Sequence, residues 1–289
     1  MDYVIKNEAL TVTISDKGAE LMSIKKDGCE YLWQGNPEYW AGRACNLFPI
    51  CGRLTNGIYK YKGKEYEMML HGFAKVSQFE MVEQKDDGIV FLLCANEETK
   101  KMYPFDIQYF VEYKLNGNTV EMKYTAKNMG DNTMYSAFGG HPGFNVPLGG
   151  EGAFEDYYME FKCEKPAKKM VFKSCYMSDD EVPFELEDGK ILRLSHSLFD
   201  NDAIFIKDMC HTVTLKSDKT DKSVTVKFPD MQYLGFWHKP ETDAPYVCIE
   251  PWQSVPAYLD VVDDLETKKD LYPLEKDESR TATIYMTFE

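Results

Sequence analysis

The sequence predicts an all-β protein, a single large antiparallel β-sandwich spanning residues 1–289 with a few short helices. Three observations carry that expectation. Apolar and polar residues alternate at period two over much of the chain, tight-turn residues separate the alternating runs at intervals typical of sandwiches, and helical periodicity is scarce. Alternation opens at Leu10-Thr11-Val12-Thr13-Ile14 and returns over residues 109–115, where side chains at that spacing fall on opposite faces of a strand. Lys62-Gly63 is expected to join residues 58–61 to 65–68, and Asp86-Asp87-Gly88 to join 78–82 to 89–93. Asn116-Gly117 suits a type I′ turn between 109–115 and 120–125, because both residues tolerate positive φ. A polar loop over 217–222 separates 212–215 from 223–228. Residues 37–40, 96–102 and 261–269 read as short helical pieces, too few for a Rossmann or TIM architecture. No Pro/Ser-rich linker, low-complexity tract or internal repeat marks a domain boundary.

Charge and cysteine usage exclude several function classes. Lys plus Arg is 33 against 48 for Asp plus Glu, a formal net charge of −15. That field repels polyanionic phosphate backbones and anionic lipid surfaces, so neither nucleic acid nor membrane is an expected partner. The eight cysteines are never closer than six positions, so no Cys-x-x-Cys seeds a zinc or redox site. Several lie in apolar runs, where free Cys behaves as a small hydrophobe, which suits a reducing compartment. The first residues lack a basic segment followed by an apolar one, and no 18 apolar residues run together. A cytoplasmic location is expected. Nothing in the sequence fixes an oligomeric state.

An aromatic content of 14% on an acidic chain suits carbohydrate, whose C–H faces pack on rings and whose hydroxyls take hydrogen bonds from acidic groups. Of five histidines, His71 in His71-Gly72-Phe73-Ala74 and His141 in Gly139-Gly140-His141-Pro142-Gly143-Phe144-Asn145 are flanked by glycine, which admits close backbone approach to a ligand. Pro142 biases His141 to an extended conformation, so its ring projects from a fixed strand end; a surface histidine in a Gly-rich turn is the plainer alternative. His196 and His211 sit in polar turn contexts and read as solvated. His238 could line a groove, but Trp237 beside it is the stronger candidate, as a sugar platform or a core residue.

Glu250 ends the apolar run Tyr246-Val247-Cys248-Ile249 and precedes Pro251-Trp252. Desolvation there would raise its pKa towards the range of a general base, whereas a solvated glutamate at a strand end would stay weakly basic. Arg53, following Cys51-Gly52, is either a surface residue or a fixed fork of donors for hydroxyls. The phosphate-loop, dinucleotide, serine-hydrolase and zincin motifs are absent from the sequence.

Taken in order, Cys51-Gly52-Arg53, His71-Gly72-Phe73, Gly140-His141-Pro142-Gly143-Phe144-Asn145 and Ile249-Glu250-Pro251-Trp252 give a chain that resembles the aldose 1-epimerases, or galactose mutarotases, and especially their LacX-like branch. The resemblance runs from about the first strand to the last. It implies a β-supersandwich binding an aldose on the concave face of one sheet. It implies His141 as the acid for the ring oxygen, Glu250 as the base for the anomeric hydroxyl, and His71 and Arg53 as groups that hold and polarise the sugar. It also implies an orienting aspartate, Asp202 or Asp200, with Asp202 preferred. Gln253-Ser254-Val255-Pro256 departs from the Gly-containing turn and aspartate expected after Trp252.

The chemistry accounts for the residue types. Anomer interconversion opens the hemiacetal, which needs a proton placed on the ring oxygen as another leaves O1, so an acid and a base must face each other across the ring. Acid–base catalysis of this kind contributes about 10²- to 10⁴-fold per group. No metal, nucleotide or redox cofactor is required. Two other readings share the expected fold. A non-catalytic sugar-binding protein would not speed anomer equilibration, and a glycoside hydrolase would need two carboxyl groups across the scissile bond and would release reducing sugar.

Overall fold

The computed structural model describes residues 1–163, 167–173 and 175–289. Two antiparallel sheets dominate it. A nine-stranded sheet runs from Ile191–Arg193 through Tyr157–Phe161, Thr212–Ser217, Thr220–Lys227, Ser279–Phe288, Thr119–Asn128, Ile107–Asn116 and Gly88–Cys94 to Glu80–Lys85. A seven-stranded sheet runs from Tyr176–Pro183 through Lys168–Lys173, Ile204–Lys207, Tyr233–Trp237, Tyr246–Trp252 and Gly139–Asn145 to Ala44–Leu47. A four-stranded sheet formed by the first 30 residues lies beside them. The antiparallel sandwich read from the alternation is therefore the fold.

The expected hairpins form, with the turns placed by residues that accept unusual backbone angles. Lys62 (φ 49°) and Gly63 (φ 75°) close Ile58–Tyr61 onto Lys64–Glu67 with Tyr61 opposite Lys64. Asn116 pairs with Thr119, so the two-residue loop is Gly117-Asn118, one position later than Asn116-Gly117. The loop expected over 217–222 is tighter than that, since Ser217 already faces Thr220 across a bulge.

Helical expectations fare unevenly. Residues 96–102 do contain the helix Glu97–Met102, whose cap Asn96 accepts from the N–H groups of Glu98 and Thr99 at 3.0 Å each. Residues 261–269 are not helical. Lys60 donates to the Asp263 carbonyl and accepts from the Leu265 N–H, so backbone groups a helix would need are committed to the neighbouring hairpin. The 2.9 Å contact between Lys268 Nζ and Asp263, both buried, fixes the segment instead. Residues 37–40 make one turn closed onto the Asn36 carbonyl, and this turn delivers Trp40 to the site described below.

The core lies between the two large sheets. Phe161 meets Phe236 edge-on at 5.9 Å, Phe144 lies 6.3 Å from Phe288, and each fully buried side chain of this size contributes about 1.5–3 kcal/mol. Cys163 and Cys210, expected as free thiols, are joined in a disulfide with Cα atoms 5.0 Å apart; the other six cysteines are free. No helix among the described residues is long and apolar enough to cross a membrane.

Candidate active site

Strand parity decides which side chains reach the ligand face. In the seven-stranded sheet Phe144, Ile204, Ile206, Leu234, Phe236, Val247 and Ile249 point into the sandwich core. Residues an odd number of positions away on the same strands, among them His141, Phe205, Trp237, Glu250 and Trp252, therefore stand on the opposite face, where they line a cavity of about 620 Å³. That volume is within the range of about 300–1,000 Å³ usual for small-ligand sites. Gly139 pairs with Trp252 and Gly143 with Cys248, a register that sets His141 directly opposite Glu250.

His141 Nε2 lies 3.3 Å from Glu250 Oε2. Both side chains are buried, Glu250 to 2% exposure, and each keeps one polar atom, His141 Nδ1 and Glu250 Oε1, without a hydrogen-bond partner among the described residues. Burial penalises charge on both. It pushes the His141 imidazole down to about 3 and the Glu250 carboxyl well above the usual carboxylate range, the latter with help from Asp202. The two groups are adjacent rather than set on opposite walls of the cavity. Adjacency suits the chemistry, because the ring oxygen and the anomeric hydroxyl are bonded to one carbon.

His71 and Arg53 reach the same cavity through paired loops. His71 sits at φ 65° and accepts the Gly52 N–H on Nδ1 at 3.0 Å. Its ring meets those of His141 and Trp252 edge-on at 5.6 and 5.2 Å. Burial first, then the charges of His141, Lys75 and Arg53, drive its pKa well below the ordinary histidine value, so it is neutral. Two glycines make this arrangement fit. A Cβ on Gly72 (φ 72°) would lie 2.1 Å from the Phe48 carbonyl oxygen, and one on Gly52 (φ 78°) 2.4 Å from Pro256 Cγ. Arg53 is exposed and lines the cavity from the rim.

Asp202 lines the cavity and Asp200 does not. Asp200 faces a separate open depression with His196 and Lys239. Asp202, held at φ 73°, accepts from Trp237 Nε1 at 3.1 Å and from the Cys175 thiol at 3.2 Å. Trp237 thus presents its ring to the cavity edge-on to His141, at 5.8 Å. His238 does not line the groove. It is fully buried, 4.4 Å from Phe199, and contacts His196 at 3.2 Å between ring nitrogens. That contact, with stacking on Phe154 at 4.0 Å, also makes His196 half-buried rather than solvated, while His211 is exposed as expected.

Sequence reasoning missed Trp40, whose ring lies 4.8 Å from that of His141, and left Lys75 without a position; Lys75 lines the cavity. The only signal for Trp40 was an aromatic closing an Asn-Pro turn. The departure after Trp252 is structural: Gln253 Oε1 accepts the Phe138 N–H at 3.1 Å, Ser254 Oγ accepts the Cys51 N–H at 3.2 Å, and Pro256 walls the cavity against Gly52. His141, Cys248 and Glu250 each offer one donor atom within 4.8 Å of the others, a set that would accommodate a divalent ion only if the deeply buried thiol, its pKa raised, gave up its proton.

Comparison with known proteins places the geometry in a family. The family model described as aldose 1-epimerase matches residues 1–281. The chromosomally encoded protein LacX of Lactococcus lactis subsp. lactis is 37% identical over 279 residues, 93% of each chain. The crystal structure of a galactose mutarotase related enzyme from Lactobacillus acidophilus superimposes with a TM-score of 0.95 at 37% identity, covering 100% of this chain and 97% of that one. A galactose mutarotase-like protein from Lactobacillus casei gives 0.94 at 28% identity, with each chain covered completely. The chain belongs to the aldose 1-epimerase family.

Proposed function

We propose that the protein is a mutarotase: it interconverts the α and β anomers of a hexose by acid–base opening and reclosure of the hemiacetal, with residues 1–289 acting as one catalytic unit. The observation that carries this reading is the buried His141–Glu250 contact of 3.3 Å on the ligand face. Burying polar atoms without partners costs about 1–3 kcal/mol each, and His141 Nδ1 and Glu250 Oε1 are left in that state. A sugar whose ring oxygen and O1 entered the pair would relieve it.

In this reading the proton that burial places on Glu250 before sugar binds passes to His141 across their 3.3 Å contact when O1 donates to the carboxylate, and His141 then delivers it to the ring oxygen while Glu250 takes one from O1. The C1–O5 bond breaks, the aldehyde turns about C1–C2, and closure on the other face returns both protons. The pair begins and ends with one proton between them. His71, with Nδ1 occupied, offers Nε2–H to a sugar oxygen, Arg53 donates from the rim, and Asp202 with Trp237 orients the ring. Polarimetry or NMR of freshly dissolved α-glucose and α-galactose tests the proposal: equilibration accelerated in proportion to enzyme supports it, and a rate no faster than buffer rejects it. Incubation with an oligosaccharide serves as the control, since released reducing sugar would indicate hydrolysis instead.

A further inference from the structure

Asp202 is gripped from two directions. Trp237, at the end of the strand Tyr233–Trp237, donates Nε1–H to Oδ1 at 3.1 Å, and the Cys175 thiol donates to Oδ2 at 3.2 Å. The second donor comes from a different part of the chain. Lys173 pairs with Tyr176, so Cys175 sits where Lys168–Lys173 turns back into Tyr176–Pro183. This hairpin leans over the cavity, which Phe172 and Cys175 both line, and Phe172 packs on Phe205 at 5.3 Å between ring centroids. Its seat does not depend on the thiol. The Met177 N–H donates to the Ala257 carbonyl at 2.9 Å, the Leu259 N–H donates to the Met177 carbonyl at 3.1 Å, and Lys169 pairs with Ile206 in the sheet.

Cys175 has φ 65°, in the left-handed region, where turn chemistry alone favours glycine or asparagine over cysteine. Its side chain supplies what glycine would not. A carboxylate held at one oxygen still swings about its Cβ–Cγ bond, and a second donor on the other oxygen, anchored in a separate element, fixes its plane. Burial first, then the Asp202 carboxylate, keeps the Cys175 thiol above its ordinary pKa, and the protonated thiol is the form that donates. Resting on the mutarotase reading above, with Asp202 as its sugar-orienting carboxylate, we infer that Cys175 is a positioning residue: its S–H and Trp237 Nε1–H together fix the Asp202 carboxylate before the sugar arrives. Each oxygen keeps a lone pair for a sugar hydroxyl. The sugar then meets an acceptor already aimed, and binding does not have to order it.

The test follows anomer exchange of glucose and galactose by NMR in the wild-type protein, in Cys175→Ala, Cys175→Ser and Asp202→Asn, and in the variant combining Cys175→Ala with Asp202→Asn. Cys175→Ala is expected to raise KM about three- to tenfold while kcat changes less than about twofold, the loss of one orienting hydrogen bond. Cys175→Ser keeps a donor at that place and is expected to stay within about twofold of wild type. On the Asp202→Asn background the alanine substitution is expected to add less than about twofold, because the group it acts through is already gone. An unchanged KM in Cys175→Ala, a serine variant as impaired as the alanine one, or an undiminished effect on the Asp202→Asn background overturns the inference and leaves the mutarotase reading standing. If the wild-type protein speeds the equilibration of neither sugar, the catalytic reading falls and calorimetric titration with the same sugars decides the rest. Binding weakened about three- to tenfold by Cys175→Ala and restored by Cys175→Ser upholds the positioning role. Binding indifferent to Cys175, or no binding, ends it.

Discussion

The Gly52 N–H donates to Nδ1 of His71 at 3.0 Å, and a backbone amide can only donate, so the neutral imidazole carries its proton on Nε2. The ring is thereby fixed as a hydrogen-bond donor towards the cavity. Replacing it by His71→Asn removes that donor from the cavity. The expected result is a fall in kcat/KM of about ten- to a hundredfold, carried mainly by KM, within the roughly 1–3 kcal/mol that a sugar oxygen left without its partner on binding would cost. Unchanged steady-state kinetics would dismiss His71 as a substrate contact.

His141→Asn and Glu250→Gln keep shape and remove proton transfer. Each is expected to lower kcat by about 10²- to 10⁴-fold with sugar binding retained by calorimetry. The double variant is expected to be little worse than either single one, because the two groups act on one proton inventory. Full activity in either single variant would reject the assignment.

The pH profile follows from the same pair. Unperturbed, a glutamate and a histidine hold a single proton between them only from about pH 4.3 to 6.5. Burial lowers His141 to about 3 and raises Glu250, so the one-proton state extends in both directions. A second proton, added at the acid limb, removes the base; loss of the first, at the alkaline limb, removes the acid. The expected kcat/KM profile is a bell with a broad plateau across neutrality and its acid limb well below the ordinary histidine value. A narrow bell confined to pH 4–7 would show that burial does not govern the pair.

Stability should run opposite to activity at Glu250. Its folded-state pKa lies above the unfolded one, so the contribution to stability is complete below about pH 4.3 and is lost as pH rises through the folded value. Glu250→Gln, which does not titrate, escapes that loss. Its Tm is expected to exceed wild type at pH 8 by about 2–4 °C, the effect of ~1 kcal/mol in a domain of this size, with the gap closing near pH 4. A lower Tm at every pH would mean the carboxyl supports the fold rather than straining it.

Turn chemistry made the sheets legible in the sequence. Lys62-Gly63 and the Gly117 turn act locally, through φ values few residues accept, so their hairpins could be read without knowing what packs on them. The flanking Gly and Pro of His141 and the apolar run before Glu250 marked both residues for the same reason. What joins them is not local. Their juxtaposition depends on the register between Gly139–Asn145 and Tyr246–Trp252, strands about a hundred residues apart, and no neighbour in sequence encodes that pairing. Lys75 and Trp40 owe their places to loops folded back onto other loops, and residues 261–269 lost their helix to the Lys60 hairpin. Asp202 could be preferred to Asp200 on paper only through the resemblance, because the left-handed backbone that goes with its place in the cavity is not written in its neighbours.

The seven-stranded sheet gives one face to the sandwich interior and the other to the ligand, on the same strands. A slip of one residue in Gly139–Asn145 would bring Gly140 to the ligand side and drive an imidazole into hydrocarbon. On the mutarotase reading, turnover would report on alignment: a chain that mispaired this strand would take His141 off the ligand face, so each active molecule would also be a correctly threaded one.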